Sequence, residues 1–384
     1  MRIAIGVMTG TSLDGIDIAV AAVEGRGLDM QVRLVRHGSV ELGPAAAGLR
    51  RAADQEPMTA EAFARLAWSL GERCADAIAA TLSECRPDRD VDLVAVHGQT
   101  VFHRPPISWQ LINPAPIAAR LGCRVVFDLR QADLAAGGRG APITPLADWV
   151  LFRHDSTDGT EDADGARRAV VNLGGFCNVS IVTARLETVA GFDVCACNQV
   201  LDAVARAALG APYDHDGQAA RLGTPDGPAT EALHTMLDRQ RTQRRSLGTG
   251  DEAAAWVAAH RDTLSGQDLA ATAVAAISRC IALALGDHAV DDIVVAGGGA
   301  LNTSLVDAIR RAAGPPVSLC SELGVPVQAR EALAMAVLGA LCADGVPITL
   351  PQVTGCREPA PVAGAWYMPD TTAPDKLKRM NSPC

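Results

Sequence analysis

Nothing at the start of this 384-residue sequence has the form of an export signal. It opens on a strand pattern, not on basic residues followed by a long apolar run. The longest apolar stretch near the C-terminus, Ala332 to Ala343, falls well short of the roughly 20 residues that span a bilayer, so no membrane partner is expected. Positive charge is also in short supply: 34 Lys and Arg face 44 Asp and Glu, a net charge of −10. An acidic chain is a poor general binder of nucleic acid or anionic membranes. Glycine and proline are too few for a disordered chain, and apolar content is ample for a large core. There is no Gly-x-Ser-x-Gly elbow, which disfavours a serine-type hydrolase. Cys195 and Cys197 form the only close cysteine pair, without a second pair or nearby histidines, so they are weak grounds for a metal site. The eleven cysteines, an odd number and scattered, read as free thiols of a reducing cytoplasm.

What the chain does contain is glycine turns placed after apolar strands. Ile3, Ile5 and Val7 lead into a turn carrying Gly10, Thr11, Ser12, Asp14 and Gly15, and a second apolar run, Ile16 to Val23, leaves it. Glycines admit a ligand close to the backbone, hydroxyls offer donors, and a carboxylate can hold a metal. That set suits nucleotide phosphates with magnesium. It equally suits an ordinary β-hairpin with a decorated turn.

Strand and helix patterns alternate along the chain, which argues an α/β fold of two or three domains. Ala60 to Cys85 has helical spacing. Val91 to Val96 runs into His97-Gly98-Gln99-Thr100, and Cys123 to Leu129 is a strand followed by a loop to Pro145. Asp155 to Arg168 has no apolar period and reads as a surface loop. The four arginines of Arg239 to Arg245 read as a solvated helix end or, alternatively, a phosphate-contacting patch. The tail from Val362 onward is polar and proline-bearing and is expected to fray. The hairpin pattern returns at Ala169 to Val182 around Gly174 and Gly175, which suggests an internal duplication. A third strand, Ile293 to Ala296, runs into Gly297, Gly298 and Gly299 ahead of a helix from Thr303 to Ala313, where a nucleotide could approach backbone and helix dipole.

In order, Met8 to Asp17, His97-Gly98-Gln99-Thr100, Asn113-Pro114-Ala115, Asp133 to Pro142, Asn172 to Ser180, Gly191-Phe192-Asp193, Asp214-His215-Asp216-Gly217 and Gly297 to Asn302 resemble the 1,6-anhydro-N-acetylmuramic acid kinases. The resemblance spans Met8 to about Gly339. It implies the actin-like ATPase (ribonuclease H-like) fold, two similar domains around a nucleotide cleft. The expected domains are residues 1–128, with about 350–384 packing back on them, and 129–349. Family members use ATP and Mg2+ to open the anhydro bridge with water and phosphorylate the freed oxygen on carbon six. The implied role is recycling of cell-wall sugar in the cytoplasm. The chain does not fix the oligomeric state, and a homodimer is compatible with it.

By that resemblance Asp193 is the base that activates water, at a loop mouth between Val189-Ala190 and a helix over Val200 to Leu209. Its other reading is a helix cap. Asp14 and Glu331 hold magnesium, one from each half. Glu331 also reads as a first-turn glutamate favouring the helix dipole. Gly10, Thr11 and Ser12 cradle the γ-phosphate, and Gly174, Gly175 and Asn178 cover it. Gly298 and Gly299 face the α-phosphate and ribose. Gln99, Arg130 and Asp133 are the candidates for sugar contact. An arginine fork suits a lactyl carboxylate, although Arg130 could equally pair with Asp128 or Asp133. His97 reads as a structural turn residue.

The sequence departs from the family after Asp193. A small residue and Gly-Pro-Gly-Asn usually follow there, whereas this chain has Val194-Cys195-Ala196-Cys197-Asn198. Arg130-Gln131-Ala132-Asp133 also carries fewer arginines than the family tends to have. Two alternatives therefore stay open: a kinase for another anhydro-sugar or hexose derivative, and a weakly catalytic nucleotide- or sugar-binding paralogue.

Overall fold

Near-continuous apolar residues suit strands buried on both faces. In a computed structural model, β1 (Arg2–Thr9) and β2 (Ile16–Glu24) are such strands. The structure describes residues 1–10, 13, 15–154, 166–243, 247 and 253–369. β2 lies antiparallel between β1 and β3 (Gln31–Val40). β1 pairs in parallel with β4 (Leu93–Val96), and β4 in parallel with β7 (Arg124–Phe127). A short hairpin of β5 (Gln99–Arg104) and β6 (Ile107–Leu111) forms a separate sheet.

The pattern then repeats. β8 (Arg168–Leu173), β9 (Phe176–Val182) and β10 (Ala190–Ala196) are antiparallel neighbours. β11 (Asp292–Ala296) runs parallel to β8, and β12 (Val317–Leu319) parallel to β11. Both sheets thus have a three-stranded meander whose first strand continues into two parallel strands: β3-β2-β1-β4-β7 and β10-β9-β8-β11-β12. This is the α/β, actin-like (ribonuclease H-like) arrangement, present twice. A last strand, β13 (Ala365–Tyr367), pairs with β7 at the edge of the first sheet. The stretch expected to fray therefore supplies a strand before residue 370.

The chain packs into two units, Met1–Leu151 with Glu331–Cys384, and Phe152–Arg330. The expected boundaries at 128 and 349 are corrected to these. The reason is the helix Arg330–Ala343, which lies directly on the first sheet. A Cβ on Gly6 would collide with the Ala332 carbonyl oxygen and the Ala336 amide, and one on Gly339 with Ala95. At its far end Asp344 pairs with Arg2 at 2.7 Å. The helix Pro145–Phe152 likewise belongs to the first unit as far as Leu151.

The second unit is built around the helix Gly266–Gly286, capped by Ser265, which accepts from the Asp268 amide. This helix is long and apolar enough to cross a membrane, yet residues such as Leu269, Ile277 and Ile281 are fully buried within the unit. Of the expected surface loop Asp155 to Arg168, residues 155–165 lie outside the described residues, and Arg168 already begins β8. Arg244 and Arg245 also lie outside them, whereas Arg241 ends the helix Gly227–Thr242 paired with Asp238 and Asp287, each at 2.9 Å.

Because Gly6 has a helix backbone against it, Gly6→Ala should destabilise the fold by roughly 2 kcal/mol or more through overpacking. Gly286→Ala, where an added Cβ meets nothing within 4 Å, should leave stability unchanged or slightly higher. Thermal melts of both variants check this pair.

Candidate functional site

In the first unit the turn after β1 begins at Gly10. Its carbonyl accepts from the Leu13 amide at 3.2 Å and from Gln99 Nε2 at 3.3 Å. Leu13 adopts φ +56, so the turn passes through the left-handed region at a non-glycine residue. Thr11, Ser12 and Asp14, the expected phosphate and metal residues, lie outside the described residues. Two neighbouring polar atoms, Thr9 Oγ1 and Gln99 Oε1, are buried with no partner among the described residues. A buried polar atom without a partner is costly, which points to a function for it.

Glu331 stands in the first turn of the helix Arg330–Ala343 and is half-buried. It belongs to the first unit, not to the half in which the expected domains placed it. The helix runs antiparallel to β1, since Ala336 lies over Gly6 while Asp344 reaches Arg2. From Ala336 back to Glu331 the helix climbs about 7–8 Å. From Gly6 on to Thr9 the strand advances about 10 Å. The first helical turn therefore sits toward the Thr9–Gly10 end of the sheet. The reason is packing: Gly6 and Gly339 let this helix lie flat on β1 and the strands beside it.

His97 and Arg130 form one unit of charge and hydrogen bonding. Arg130 donates from Nε and Nη2 to His97 Nε2, at 3.1 and 2.8 Å, and from Nη1 to the Gly140 carbonyl at 2.6 Å. His97 Nδ1 lies 2.9 Å from the Gly98 carbonyl. The neutral Nδ1–H tautomer satisfies all of these at once. Burial, and then the Arg130 guanidinium, pushes His97 down to about 3, and the same two causes push His103 down to about 4. So all three guanidinium nitrogens have internal partners in His97 and the Gly140 carbonyl. The expected sugar contact is in the first place a clamp on His97 and the Gly140 loop.

Asp133 is fully buried. Its Oδ2 accepts from the Gly140 amide at 2.7 Å and its Oδ1 from Thr354 Oγ1 at 2.6 Å. A Cβ on Gly138 would collide with this carboxylate. Its expected role in sugar contact is corrected to a structural one. The glycine-rich segment after it is folded around the carboxylate.

In the second unit the pieces converge. Asp193 is not at a loop mouth. It sits within the edge strand β10, opposite Asn178 on β9, which is in turn opposite Asn172 on β8. Directly opposed residues share a face, so the carboxylate and two amides form one row across three strands. A bulge between Asp193 and Cys195 interrupts β10 immediately after this row. Bulges re-aim side chains and recur beside active sites. Asp193 Oδ2 accepts from the Leu247 amide at 2.9 Å.

The row adjoins the Gly174–Gly175 turn between β8 and β9. The Gly175 carbonyl accepts from the Cys197 amide at 2.9 Å, and the Gly174 carbonyl from the Asn198 amide at 3.1 Å. Gly297 lies against the same place with φ +85; a Cβ there would lie 2.7 Å from Asn172 Oδ1 and 2.8 Å from the Leu173 carbonyl oxygen. One on Gly299 would lie 2.7 Å from Asn198 Oδ1. Gly174, Gly175, Asn178, Asp193, Gly298 and Gly299 are thus gathered in one place. The run Val194 to Cys197 is fully buried, and the Ala196 amide donates to Gln240 Oε1 at 2.9 Å. Packing and backbone bonds hold this segment without a glycine-proline turn. Among the described residues no group of three metal-ligating side chains occurs, and Cys195 and Cys197 are free thiols.

The Asn172 position and the β5–β6 hairpin were not singled out from sequence. A signal existed for the second: Ser108 and Gln110 alternate with Ile107, Trp109 and Leu111 at period two.

A family model described as anhydro-N-acetylmuramic acid kinase matches residues 2–369. The chain belongs to the anhydro-N-acetylmuramic acid kinase family. Among its relatives, the anhydro-N-acetylmuramic acid kinase of Salinibacter ruber is 35% identical, covering 94% of this chain and 95% of that protein. The one from Bordetella avium is 35% identical, covering 95% and 96%. The structure of component A of (R)-2-hydroxyglutaryl-CoA dehydratase from Acidaminococcus fermentans is similar at 13% identity and TM-score 0.47, over 88% of this chain and 97% of that one. In this member of the family Asp193 occupies a strand row.

The depressed histidines give a sign for acid stability. His97 binds its proton less readily folded, at about 3, than at the ordinary 6.5. As pH falls through that window the unfolded chain takes up the proton first, so stability is lost. The melting temperature should fall from pH 6.5 toward pH 4, and His97→Gln should melt lower at neutral pH with a shallower acid slope. A series of thermal melts across that range decides it.

Proposed function

We propose that this chain is an ATP-dependent kinase that opens 1,6-anhydro-N-acetylmuramic acid with water and releases N-acetylmuramic acid 6-phosphate. Family membership over residues 2–369 supports the reaction class. The observation that carries the site is the row Asp193, Asn178 and Asn172 beside the Gly174–Gly175 and Gly297–Gly299 turns. A carboxylate is set next to backbone that a phosphate can approach closely.

In this reading Asp193 takes a proton from water as the water oxygen bonds to the anomeric carbon. The bond from that carbon to the bridge oxygen breaks, and the freed oxygen on carbon six bonds to the γ-phosphorus as ADP leaves. The coupling is physically sensible, because charge developing on the bridge oxygen is taken up by phosphoryl transfer. Asn178 and the Leu247 amide orient the Asp193 carboxylate. Gly174, Gly175, Gly298 and Gly299 contact the nucleotide in the second unit, and Gly10, Thr11 and Ser12 in the first.

Asp14 and Glu331 would hold Mg2+, which neutralises phosphate charge when bound. Glu331, half-buried at a helix start on the Gly10 side of the sheet, fits that task. The lack of a three-ligand group among the described residues is no obstacle, since Mg2+ usually takes one or two carboxylates with phosphates and water. The ten described cysteines are all free, which suits a reducing cytoplasm and a role in recycling cell-wall sugar.

A second reading, a kinase for an uncharged anhydro-sugar or hexose derivative, is favoured by one observation. Arg130, the expected carboxylate ligand, has all three nitrogens engaged internally.

Asp193→Asn should abolish turnover while ATP binding stays near normal; a variant that still turns over would remove Asp193 from the role of base. ADP release across a panel of anhydro-sugars and free hexoses separates the two readings. In labelled water the 6-phosphate product should carry one solvent oxygen.

A further inference from the structure

The β5–β6 hairpin is inside out. Its apolar residues Ile107 and Trp109 are 63% and 46% exposed, while Ser108 and Gln110 between them are 5% and 7% exposed. Exposed apolar and buried polar side chains are the informative departures from ordinary burial. The pairing explains the geometry: Thr100 opposes Gln110, and His103 opposes Ser108, so these four share one face. The other face carries Phe102 and Trp109, and Trp109 meets Phe63 with ring centroids 5.1 Å apart.

The polar face is a connected network with two ends left open. Gln110 Nε2 donates to Ser108 Oγ at 2.8 Å and to Thr100 Oγ1 at 3.3 Å. Ser108 Oγ donates to the Phe102 carbonyl at 3.3 Å. That hydroxyl therefore accepts from His103 Nδ1 at 2.9 Å, which leaves His103 Nε2 as a bare lone pair. Gln131 Nε2 secures the Ser108 carbonyl from behind. Gln110 Oε1 and His103 Nε2 are both buried without a partner among the described residues. Nothing in the fold explains two unmet acceptors on one hydrogen-bonded face.

We propose that this face recognises the sugar through its uncharged donors, with Gln110 Oε1 and His103 Nε2 accepting from a ring hydroxyl and the acetamido N–H. The inference rests on the anhydro-sugar kinase reading. In 1,6-anhydro-N-acetylmuramic acid the bridge ties up the oxygens on carbons one and six, and the lactyl ether that on carbon three. One ring hydroxyl and one amide N–H remain as the uncharged donors. Two acceptors match two donors, and two lone pairs on one face repel a carboxylate. Ser108 and Thr100 are positioning residues that hold the acceptors' orientation.

His103→Asn keeps a donor toward Ser108 and removes the Nε2 acceptor; Gln110→Leu removes the carbonyl. Each should raise the Kd and KM for the sugar about 10-fold to 100-fold. KM for ATP should stay near wild type in both variants, and Gln110→Leu, which also loses the Nε2 bonds to Ser108 and Thr100, should melt somewhat lower while remaining folded. The penalty should be the same for 1,6-anhydro-N-acetylglucosamine, which has no lactyl group, tested as substrate or competitive inhibitor. Sugar affinity within twofold of wild type in both folded variants would overturn the proposal. So would a KM for ATP that rises in step, or a penalty confined to the lactyl sugar. Calorimetric sugar binding reads the hairpin, and ADP release by the wild type reads the kinase assignment, so each can fail separately.

Discussion

Backbone laid directly on backbone at glycine is the constraint on which this structure depends. At Gly6 the helix Arg330–Ala343 rests on β1 with no room for a side chain. That contact brings the chain back to the first unit after the second is complete, and it aims the turn bearing Glu331 at the Gly10 end of the sheet. At Gly297 and Gly299 the same device presses the third glycine turn against Asn172, Leu173 and Asn198. In both places a missing Cβ replaces side-chain packing with closer approach, and closer approach is what phosphate-binding backbone needs.

The two units use their sheets differently for chemistry. In the second, the groups proposed for catalysis lie on strands: Asp193, Asn178 and Asn172 stand abreast, and a bulge ends the row. Residues on hydrogen-bonded strands are more rigidly placed than residues on loops. This answers the concern raised by Val194 to Cys197. The aim of Asp193 is set by strand register and by the amide bonds to Gly174 and Gly175, so loss of a stiff turn does not by itself misplace it. In the first unit the polar groups cluster beside the sheet, where burial, and after it the Arg130 guanidinium, keeps His97 and His103 neutral. A permanent cation thereby adds to what burial does in maintaining uncharged hydrogen-bonding groups.

Much of the fold was legible in residue order. The helix expected at Ala60 to Cys85 is the helix observed, and the returning hairpin at Gly174 is the first half of a repeated sheet. These follow from period and turn chemistry, which are local. Asp133 and Arg130 were legible as polar residues at a strand end but not as structural ones. Their partners, Thr354, Gly140 and His97, are distant in sequence, and burial is a property of the folded whole. Asp193 was found by motif, while its place in a strand depended on pairing with Asn178.

The sequence by itself determined the family, the repeated strand–turn–strand plan and the residue types available for phosphate and proton chemistry, because those reside in short contiguous motifs. Only the tertiary structure decided where the units divide, that Glu331 belongs with the first of them, and which polar side chains are taken up internally. It alone turned the unremarked hairpin of residues 99–111 into a buried polar face. The physical reason is common to all of these: each depends on which surfaces lose water together, and that is settled between segments far apart in the chain.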